Sequence, residues 1–366
     1  MKRVGHLFEK IISRENLKQA IETVCSSHRW VLYPRKRNST VLWIEEDIEA
    51  RIDELQSILV NGYKPSPVTL KRRYDVNAGK WRDIAEPRLW PDQCIHHALI
   101  QITEPVMMRG MDNWCCGSIK NRGAHYGIRG IKKWMLNEKE TAWCLEMDIY
   151  HFYESIDPQE LMNRMKKLIK DYKALDLIER ITKNGIQIGA YCSQWFANTF
   201  LQELDQLIRN LGATRSIRYM DNFTVFTKNK KDATIILEAT KQWLKEHKLS
   251  MKNNWQKFDA SIRMPNALGY RFGRGYTLLR KKNLLRLNHC LKRFYRRYES
   301  GKFITTRFAQ GLISRLGMLR HCNSVNIYYR FVKPKVQKKL KDIVRNYYRK
   351  EIEKWSTFLE LSSATV

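Results

Sequence analysis

Two short stretches of the sequence each place an aspartate where a strand is expected to end. Residues 143–150 (WCLEMDIY) are typical of a buried strand with Asp148 near its end, and residues 216–226 (SIRYMDNFTVF) of a β-hairpin with Asp221 and Asn222 at its tip. Carboxylates on separate strands of one sheet can converge on two divalent cations about 3.5–4 Å apart, as two-metal nucleotidyl transfer requires. The alternative is that Asp221 and Asn222 are ordinary turn residues.

The pattern within this hairpin predicts which side chains face the core. Ile217, Tyr219, Phe223 and Val225 alternate with shorter or more polar residues, as in a half-buried hairpin. Around it the sequence predicts the order strand, helix, hairpin, helix, hairpin, and no phosphate-binding P-loop signature competes with this arrangement. This is the order of elements that two-metal polymerase chemistry requires.

A third acid near the first strand has a structural interpretation. Asp157 precedes Pro158 and is followed three residues later by Glu160, a capping-box-like pattern with proline at the first helical position. We therefore interpret Asp157 as a helix cap and not as a catalytic acid. Elsewhere, residues 1–60 are predicted to be helical, and residues 72–91 to form strands around a turn at Ala78–Gly79.

The charge of the chain indicates a polyanionic partner. Its 366 residues carry a formal net charge of +30, and the excess of Lys and Arg recurs in many segments. Tyr, Trp and Phe interleave with these cations, which favours nucleic acid over an acidic membrane surface. No apolar run approaches transmembrane length, no signal peptide is evident, and the eight cysteines lack C-x-x-C spacing. We expect a cytoplasmic protein with reduced thiols and no membrane association.

Several motifs together resemble those of reverse transcriptases, in the order in which that family carries them. The segments that carry the resemblance are GKWRDIAEP, MDIYHFYESID, IGAYCSQWFAN, YMDN and ALGY. Two further segments, CGSIKNRGAHYGI and GMLRHCNS, are most similar to the branch that contains diversity-generating retroelement enzymes and defence-associated relatives.

The resemblance implies roles for the residues at the matching positions. Asp148 and Asp221 would be the catalytic metal ligands, with the carbonyl of Ile149 and the amide of Asn222 completing the set. Hard oxygen donors suit Mg²⁺, with Mn²⁺ as an alternative. Lys252 would be the general acid, although Lys257 lies close to it in sequence.

The same resemblance assigns residues that contact the nucleotide, template and primer. The nucleotide-binding positions are Lys80, Arg82, Tyr153, Gly189 and Gln194, of which Tyr153 would exclude a 2′-hydroxyl and Gly189 would admit the nascent base pair. The template or primer positions are Ser193, Tyr219, Gly269 and Tyr270. Structural alternatives remain: Lys80 and Arg82 could lie on a surface hairpin, Tyr153 could be a core aromatic, and Ser193 could cap a helix.

The sequence departs from the family at two positions. Gln187 stands where relatives commonly have proline, and Asn222 stands where the family box has a second acid. Because Asp148 and Asp221 remain, we interpret Asn222 as tuning the metal site. The alternative is a degenerate polymerase kept as an RNA-binding scaffold.

The predicted fold is an α+β right-hand polymerase. We expect an N-terminal helical segment (1–65), fingers (66–140), a palm with the metal site and primer-grip hairpin (141–283) and a basic helical thumb (284–366). The expected function is RNA-directed DNA synthesis from dNTPs, in antiphage defence with a dedicated structured non-coding RNA. Mutagenic retrohoming by a diversity-generating retroelement is the alternative setting. An accessory protein or a second polymerase subunit is a further expected partner.

Overall fold

Helices and strands alternate along the chain in this computed structural model, which describes residues 2–32, 35–75, 80–332 and 336–363. As far as residue 148 the elements are α1 (Phe8–Ile11), α2 (Arg14–His28), β1 (Trp30–Leu32), β2 (Arg35–Arg37), α3 (Ser39–Glu46), α4 (Ile48–Val60), β3 (Thr69–Asp75), β4 (Lys80–Glu86), a π-helical turn (Leu89–Gln93), α5 (Cys94–Met108), α6 (Ala124–Trp134) and β5 (Trp143–Asp148). The predicted turn at Ala78–Gly79 lies outside the described residues.

The remaining elements complete a mixed helical and sheet structure. They are α7 (Phe152–Ser155), α8 (Pro158–Leu168), α9 (Tyr172–Thr182), α10 (Tyr191–Phe200), α11 (Gln202–Asn210), β6 (Arg215–Tyr219), β7 (Asn222–Thr227), α12 (Lys230–Glu246), β8 (Gln256–Asp259), β9 (Asn266–Ala267), β10 (Tyr270–Phe272), β11 (Thr277–Leu279), α13 (Lys281–Glu299), α14 (Thr306–Gly317), a 3₁₀ turn (Met318–His321), α15 (Val325–Phe331) and α16 (Val336–Ser363). The predicted α+β class is confirmed.

The chain divides into two compact units. The first consists of Met1–Ala124 with Ala142–Asp259, and the second of His125–Thr141 with Ala260–Val366. In the second unit, β9, β10 and β11 form a small antiparallel sheet, followed by the helices from α13 onward. The side chain of Arg274 joins its two segments by donating to the carbonyl oxygens of Met135 (3.0 Å) and Thr141 (3.1 Å). The finer division into fingers, palm and thumb stays a prediction.

A four-stranded antiparallel sheet lies at the centre of the first unit, in the order β6-β7-β5-β8. Ile217, Phe223 and Val225 are buried in it as the alternation predicts. The prediction for Tyr219 is wrong, because its side chain is 36% exposed while Arg218 beside it is only 2% exposed. The physical reason is an internal carboxylate that pairs with Arg218 and makes its burial favourable, as described below.

Local capping signals are confirmed. The carboxylate of Asp157 accepts hydrogen bonds from the N–H groups of Gln159 (2.9 Å) and Glu160 (3.1 Å) at the start of α8.

All eight cysteines are free. In the described part of the chain, no helix combines the length and the apolar character needed to cross a membrane.

Candidate active site

The register of the central sheet brings the two predicted acids together. Asp148, the last residue of β5, pairs with Asn222, the first residue of β7. Asp221 immediately precedes β7, and its carbonyl oxygen accepts a hydrogen bond from the N–H of Ile149 at 3.2 Å. Asp221 and Met220 form the two-residue tip of the hairpin, because Tyr219 pairs with Asn222 across it. The tip is therefore fixed against the end of β5.

Lys252, from the segment that precedes β8 on the other flank of β5 from β7, bridges these carboxylates. The Nζ of Lys252 lies 2.6 Å from Oδ2 of Asp148 and 4.0 Å from Oδ2 of Asp221. Its backbone N–H also donates to the Asp148 carbonyl oxygen at 2.8 Å. The other candidate, Lys257, donates instead to the hydroxyl of Thr234 at 2.6 Å. The two acids thus share one cationic group.

The environment of Asp148 fits a cation ligand. Its Oδ1 atom is buried without a hydrogen-bond partner among the described residues. Burial raises the pKa of Asp148 to about 6, and the negative charge of Asp221 adds to this effect while Lys252 opposes it. An unpaired buried carboxylate oxygen is costly, so a divalent cation bound there would satisfy it. Within the described residues no cluster of three or more His, Cys, Asp or Glu side chains suits a metal ion. Two carboxylates, the Asn222 amide and backbone carbonyls are the donors that this site offers.

Asn222 is bound to the acid beside it. Its Nδ2 donates to Oδ1 of Asp221 at 2.9 Å, and its side chain is exposed. The amide therefore neighbours the carboxylate pair without adding a negative charge to it.

Tyr153 packs against the hairpin tip. Its hydroxyl lies 3.5 Å from the sulfur of Met220, and burial, with a smaller contribution from Asp221, raises the pKa of Tyr153 to about 12. The tip also approaches Gly117 closely, since a Cβ atom on that glycine would lie 2.7 Å from the Met220 sulfur. Tyr153 thus packs next to the hairpin tip that carries Asp221, and its contact with a nucleotide stays a prediction.

The backbone of Gly189 packs closely against Ala85 of β4. Its φ is +118°, and a Cβ atom there would overlap the carbonyl oxygen of Ala85 in β4. The N–H of Ala85 donates to the carbonyl oxygen of Ile188 at 2.8 Å, which holds the two segments together. The predicted contact with a base pair stays a prediction.

Ser193 and Gln194 are neighbours at the start of α10, but they differ in burial. Ser193 is 4% exposed, whereas Gln194 is exposed. Ser193 does not cap the helix, because the N-cap position is Ala190.

On β4, Arg82 pairs in register with Arg73, and Lys80 with Asp75; the side chain of Lys80 lies outside the described part. Both cationic positions are therefore on the β3–β4 hairpin.

Gly269 and Tyr270 belong to the second unit. Gly269 has a φ of +88°, and its carbonyl oxygen accepts from Asn283 Nδ2 at 3.1 Å. Tyr270 is buried, and its hydroxyl donates to the Met318 carbonyl oxygen at 2.9 Å. These contacts stabilise the hairpin that would carry a primer grip, and that role stays a prediction for both residues.

The structure contains a buried ion pair behind the hairpin tip that the sequence did not predict. The guanidinium of Arg218 binds the carboxylate of Asp205 through contacts of 2.7, 2.8 and 3.0 Å. It also donates to Oδ1 of Asn198 at 2.9 Å and to the carbonyl oxygen of Met220 at 3.2 Å. Burial alone would lower the pKa of Arg218, but the charge and hydrogen bonds of Asp205, with a contribution from Cys115, raise it. The local sequence provides no signal for it, because β6 (RSIRY) also contains Arg215, a cation that is exposed.

Comparison with known families identifies the chain. A model of the family described as reverse transcriptase (RNA-dependent DNA polymerase) matches residues 69–272, more than half of the 366 residues. The chain belongs to the reverse transcriptase family. This confirms the resemblance to reverse transcriptases, the polymerase-like fold and the predicted enzyme class of nucleotidyltransferases. The narrower branch of diversity-generating and defence-associated enzymes stays a prediction. Reverse transcriptase domains generally use divalent metal ions.

Individual relatives are distant. The chain is 25% identical over 188 residues to Protein YkfC of Escherichia coli (strain K12), covering 47% of this chain and 48% of that protein. It is 25% identical over 198 residues to Group II intron-encoded protein LtrA of Lactococcus lactis subsp. cremoris, covering 49% and 32%. The structure of telomerase from Candida albicans in complex with a fragment of telomeric RNA aligns with a TM-score of 0.48 at 10% identity, over 85% of this chain and 65% of that one. The matches span about half or less of the length of these two curated relatives.

Proposed function

We propose that this chain is an RNA-directed DNA polymerase whose catalytic acids are Asp148 and Asp221. The observation that carries the proposal is their convergence across the end of the central sheet, with a buried, unpartnered oxygen on Asp148. With the carbonyl of Ile149 and the amide of Asn222, they would hold Mg²⁺, or Mn²⁺ as an alternative. When bound, such cations supply activation of the primer hydroxyl and neutralisation of charge on the transferred phosphoryl group.

The remaining roles belong to side chains around the acids. Lys252 Nζ, which lies 2.6 Å from Oδ2 of Asp148, is the group that we assign to protonate the leaving pyrophosphate. Lys80 and Arg82 on the β3–β4 hairpin would neutralise the triphosphate of the incoming dNTP. Tyr153 would exclude ribonucleotides from a position next to the tip.

Contacts to the template and primer complete the proposal. Gly189, Ser193 and Gln194 would approach the nascent pair and template from the start of α10. Tyr219 has an exposed ring beside the acids and would contact the primer terminus. Gly269 and Tyr270 are the further template or primer positions that we assign. An RNA template and a DNA product are thus the partners we assign.

The activity is tested by extension of a labelled primer on a defined RNA template with dNTPs, in Mg²⁺ and in Mn²⁺. A polymerase extends the primer, whereas the rival, a degenerate RNA-binding scaffold, would bind RNA without incorporation in either ion. Tyr153→Ala should admit ribonucleotides, and Tyr153→Phe, which keeps the ring, should not. Equal exclusion of ribonucleotides by all three proteins would contradict the role of Tyr153.

The biological setting that we propose is antiphage defence with a dedicated structured non-coding RNA. Its support is Asn222, which removes one charge from the family box and suggests relaxed demands on general, accurate copying. A diversity-generating retroelement, working with a small accessory protein, is the alternative. Sequencing the nucleic acid that co-purifies distinguishes them: one dedicated RNA with its DNA copy supports defence, and a mutagenised copy of a template repeat contradicts it.

A further inference from the structure

A cavity of about 370 Å³ lies in the first unit, away from the carboxylate pair. Its walls come from the segment 63–68, from the start of α5 and from the chain that leads from the end of α9 into α10. Asp148, Asp221 and Lys252 do not line it. The volume is within the range of small-molecule sites, which usually combine apolar walls with a few well-placed polar groups.

One carboxylate in this cavity has an unused oxygen. Asp92 is 2% exposed, and its Oδ1 accepts hydrogen bonds from the Tyr63 hydroxyl and, at 3.0 Å, from the N–H of Ser66. Its Oδ2 is buried and has no partner among the described residues. A buried acceptor left unpaired costs about 1–3 kcal/mol, and more when it is charged. A bound N–H donor would remove that cost.

An imidazole one helical turn further on is also unpartnered. His96 is 4% exposed, and its buried Nδ1 has no hydrogen-bond partner in the described part of the chain. Burial lowers the pKa of His96 to about 4, so the ring is neutral at physiological pH. Neutral imidazole nitrogen donates or accepts according to its tautomer. Asp92 and His96 together therefore offer an acceptor and an adaptable group on one helix face, as the edge of a nucleobase needs.

The walls suit a flat ring. Pro65, Pro67, Pro87 and Phe196 line the cavity with apolar surface. Gln187, the residue that replaces the proline common in relatives, lines it too and adds an amide that can both donate and accept. The departure at this position thus adds hydrogen-bonding capacity to the cavity.

Cations line its solvent side. Lys183 is exposed and forms no ion pair among the described residues, and Arg180 contacts only its helical neighbour Asp176 by an ion pair of 2.7 Å. The site therefore combines a buried group that requires an N–H donor, apolar walls and an exposed positive charge.

We propose that this cavity binds a single nucleotide, with a base that bears an N–H donor against Asp92 and His96 and the phosphate toward Lys183. The nucleotide is either a free nucleoside monophosphate or one unstacked nucleotide of a bound strand. Ser193, assigned above to the template, also lines this cavity. Binding at the site needs no metal and is measured without the polymerase activity proposed above.

The test is calorimetric titration of the full-length protein with GMP and AMP in excess EDTA. We expect binding that is retained in Asp148→Ala and weaker by about tenfold or more for purine riboside 5′-monophosphate, whose base carries no N–H group. Asp92→Asn keeps the oxygen that accepts from Tyr63 and Ser66 but replaces the other oxygen with an N–H donor. Its affinity for GMP should therefore fall by a similar factor. Lys183→Ala should lower the affinity for GMP but not for guanosine. Lys166→Ala, at an exposed lysine of α8, should change neither affinity.

Competition identifies the source of the nucleotide. GMP binding that a short single-stranded RNA cannot displace supports a free monophosphate. Displacement of GMP, with RNA affinity reduced in Asp92→Asn, supports a nucleotide of a bound strand. If Asp92→Asn does not fold, two measurements still decide: the comparison of GMP with purine riboside 5′-monophosphate, and the effect of Lys183→Ala on GMP binding. Absence of binding by all the monophosphates, with RNA affinity unchanged in Asp92→Asn and Lys183→Ala, would overturn the proposal and leave a cavity filled by ordered water.

Discussion

Asp205→Asn should strongly destabilise the first unit, because it leaves the Arg218 guanidinium buried without a counter-charge. The two side chains are 7% and 1% exposed, and three contacts of 2.7–3.0 Å join them. Removing one partner of such a pair costs about 3–5 kcal/mol of the free energy of unfolding. That is a large part of the total of about 5–15 kcal/mol typical of folded proteins.

Chemical denaturation of wild type and Asp205→Asn measures this loss. The matched control is Glu238→Gln in α12, whose ion pair with Lys241 is exposed and has a similar length of 2.9 Å. We expect that control to lose less than about 1 kcal/mol. An equally small loss for Asp205→Asn would refute the assignment of a dehydrated ion pair behind the hairpin.

A double variant separates stability from positioning. Arg218→Met with Asp205→Leu removes both buried charges, so it should regain much of the stability lost by Asp205→Asn. It also removes the donor that contacts the Met220 carbonyl oxygen at 3.2 Å, next to Asp221. Primer extension should therefore stay well below the wild-type rate. A stable double variant with wild-type extension would show that Arg218 does not position the tip.

The other predictions concern the altered box, the α10 loop and RNA affinity. Asn222→Asp restores a charge beside Asp221, where the amide now donates at 2.9 Å, so it should lower the Mg²⁺ concentration for half-maximal extension; superimposable titration curves would place residue 222 outside the metal shell. Gly189→Ala should lower the melting temperature much more than Gly185→Ala, since both glycines have positive φ (118° and 87°) but only Gly189 faces the Ala85 carbonyl oxygen; equal losses would contradict the account. With a net charge of +30, RNA affinity should fall steeply with salt, with a log–log slope of about −0.7 per neutralised phosphate, and a salt-independent Kd would exclude a distributed basic surface.

Much of the carboxylate site was accessible from the sequence because its signals are local. A strand that ends in Asp148 and a hairpin with Asp221 at its tip are encoded by alternation and turn residues, and family motifs add the order of elements. The Asp157 cap is likewise a local signal, and the structure has it as predicted.

Features that depend on distant contacts were missed. Alternation places Tyr219 inside, but Arg218 is buried instead because Asp205, thirteen residues earlier on α11, supplies its counter-charge. The close neighbour of Gly189 is Ala85, which only the packing of the α10 loop against β4 reveals. The unpaired oxygen of Asp92 depends in the same way on which groups the fold brings near it.

The most direct test of the central claim is metal-dependent incorporation of a labelled dNTP on an RNA template by wild type, Asp148→Ala and Asp221→Ala. Each variant removes one of the two carboxylates bridged by Lys252. We predict that wild type incorporates dNTPs in Mg²⁺ and that both variants lose at least about a hundredfold in rate, because charge stabilisation by bound cations supplies several kcal/mol. RNA binding and melting temperature should stay close to wild type, and Asp176→Ala, an exposed acid of α9, should extend normally. Extension by either active-site variant at the wild-type rate would contradict the claim that these two aspartates form the active site.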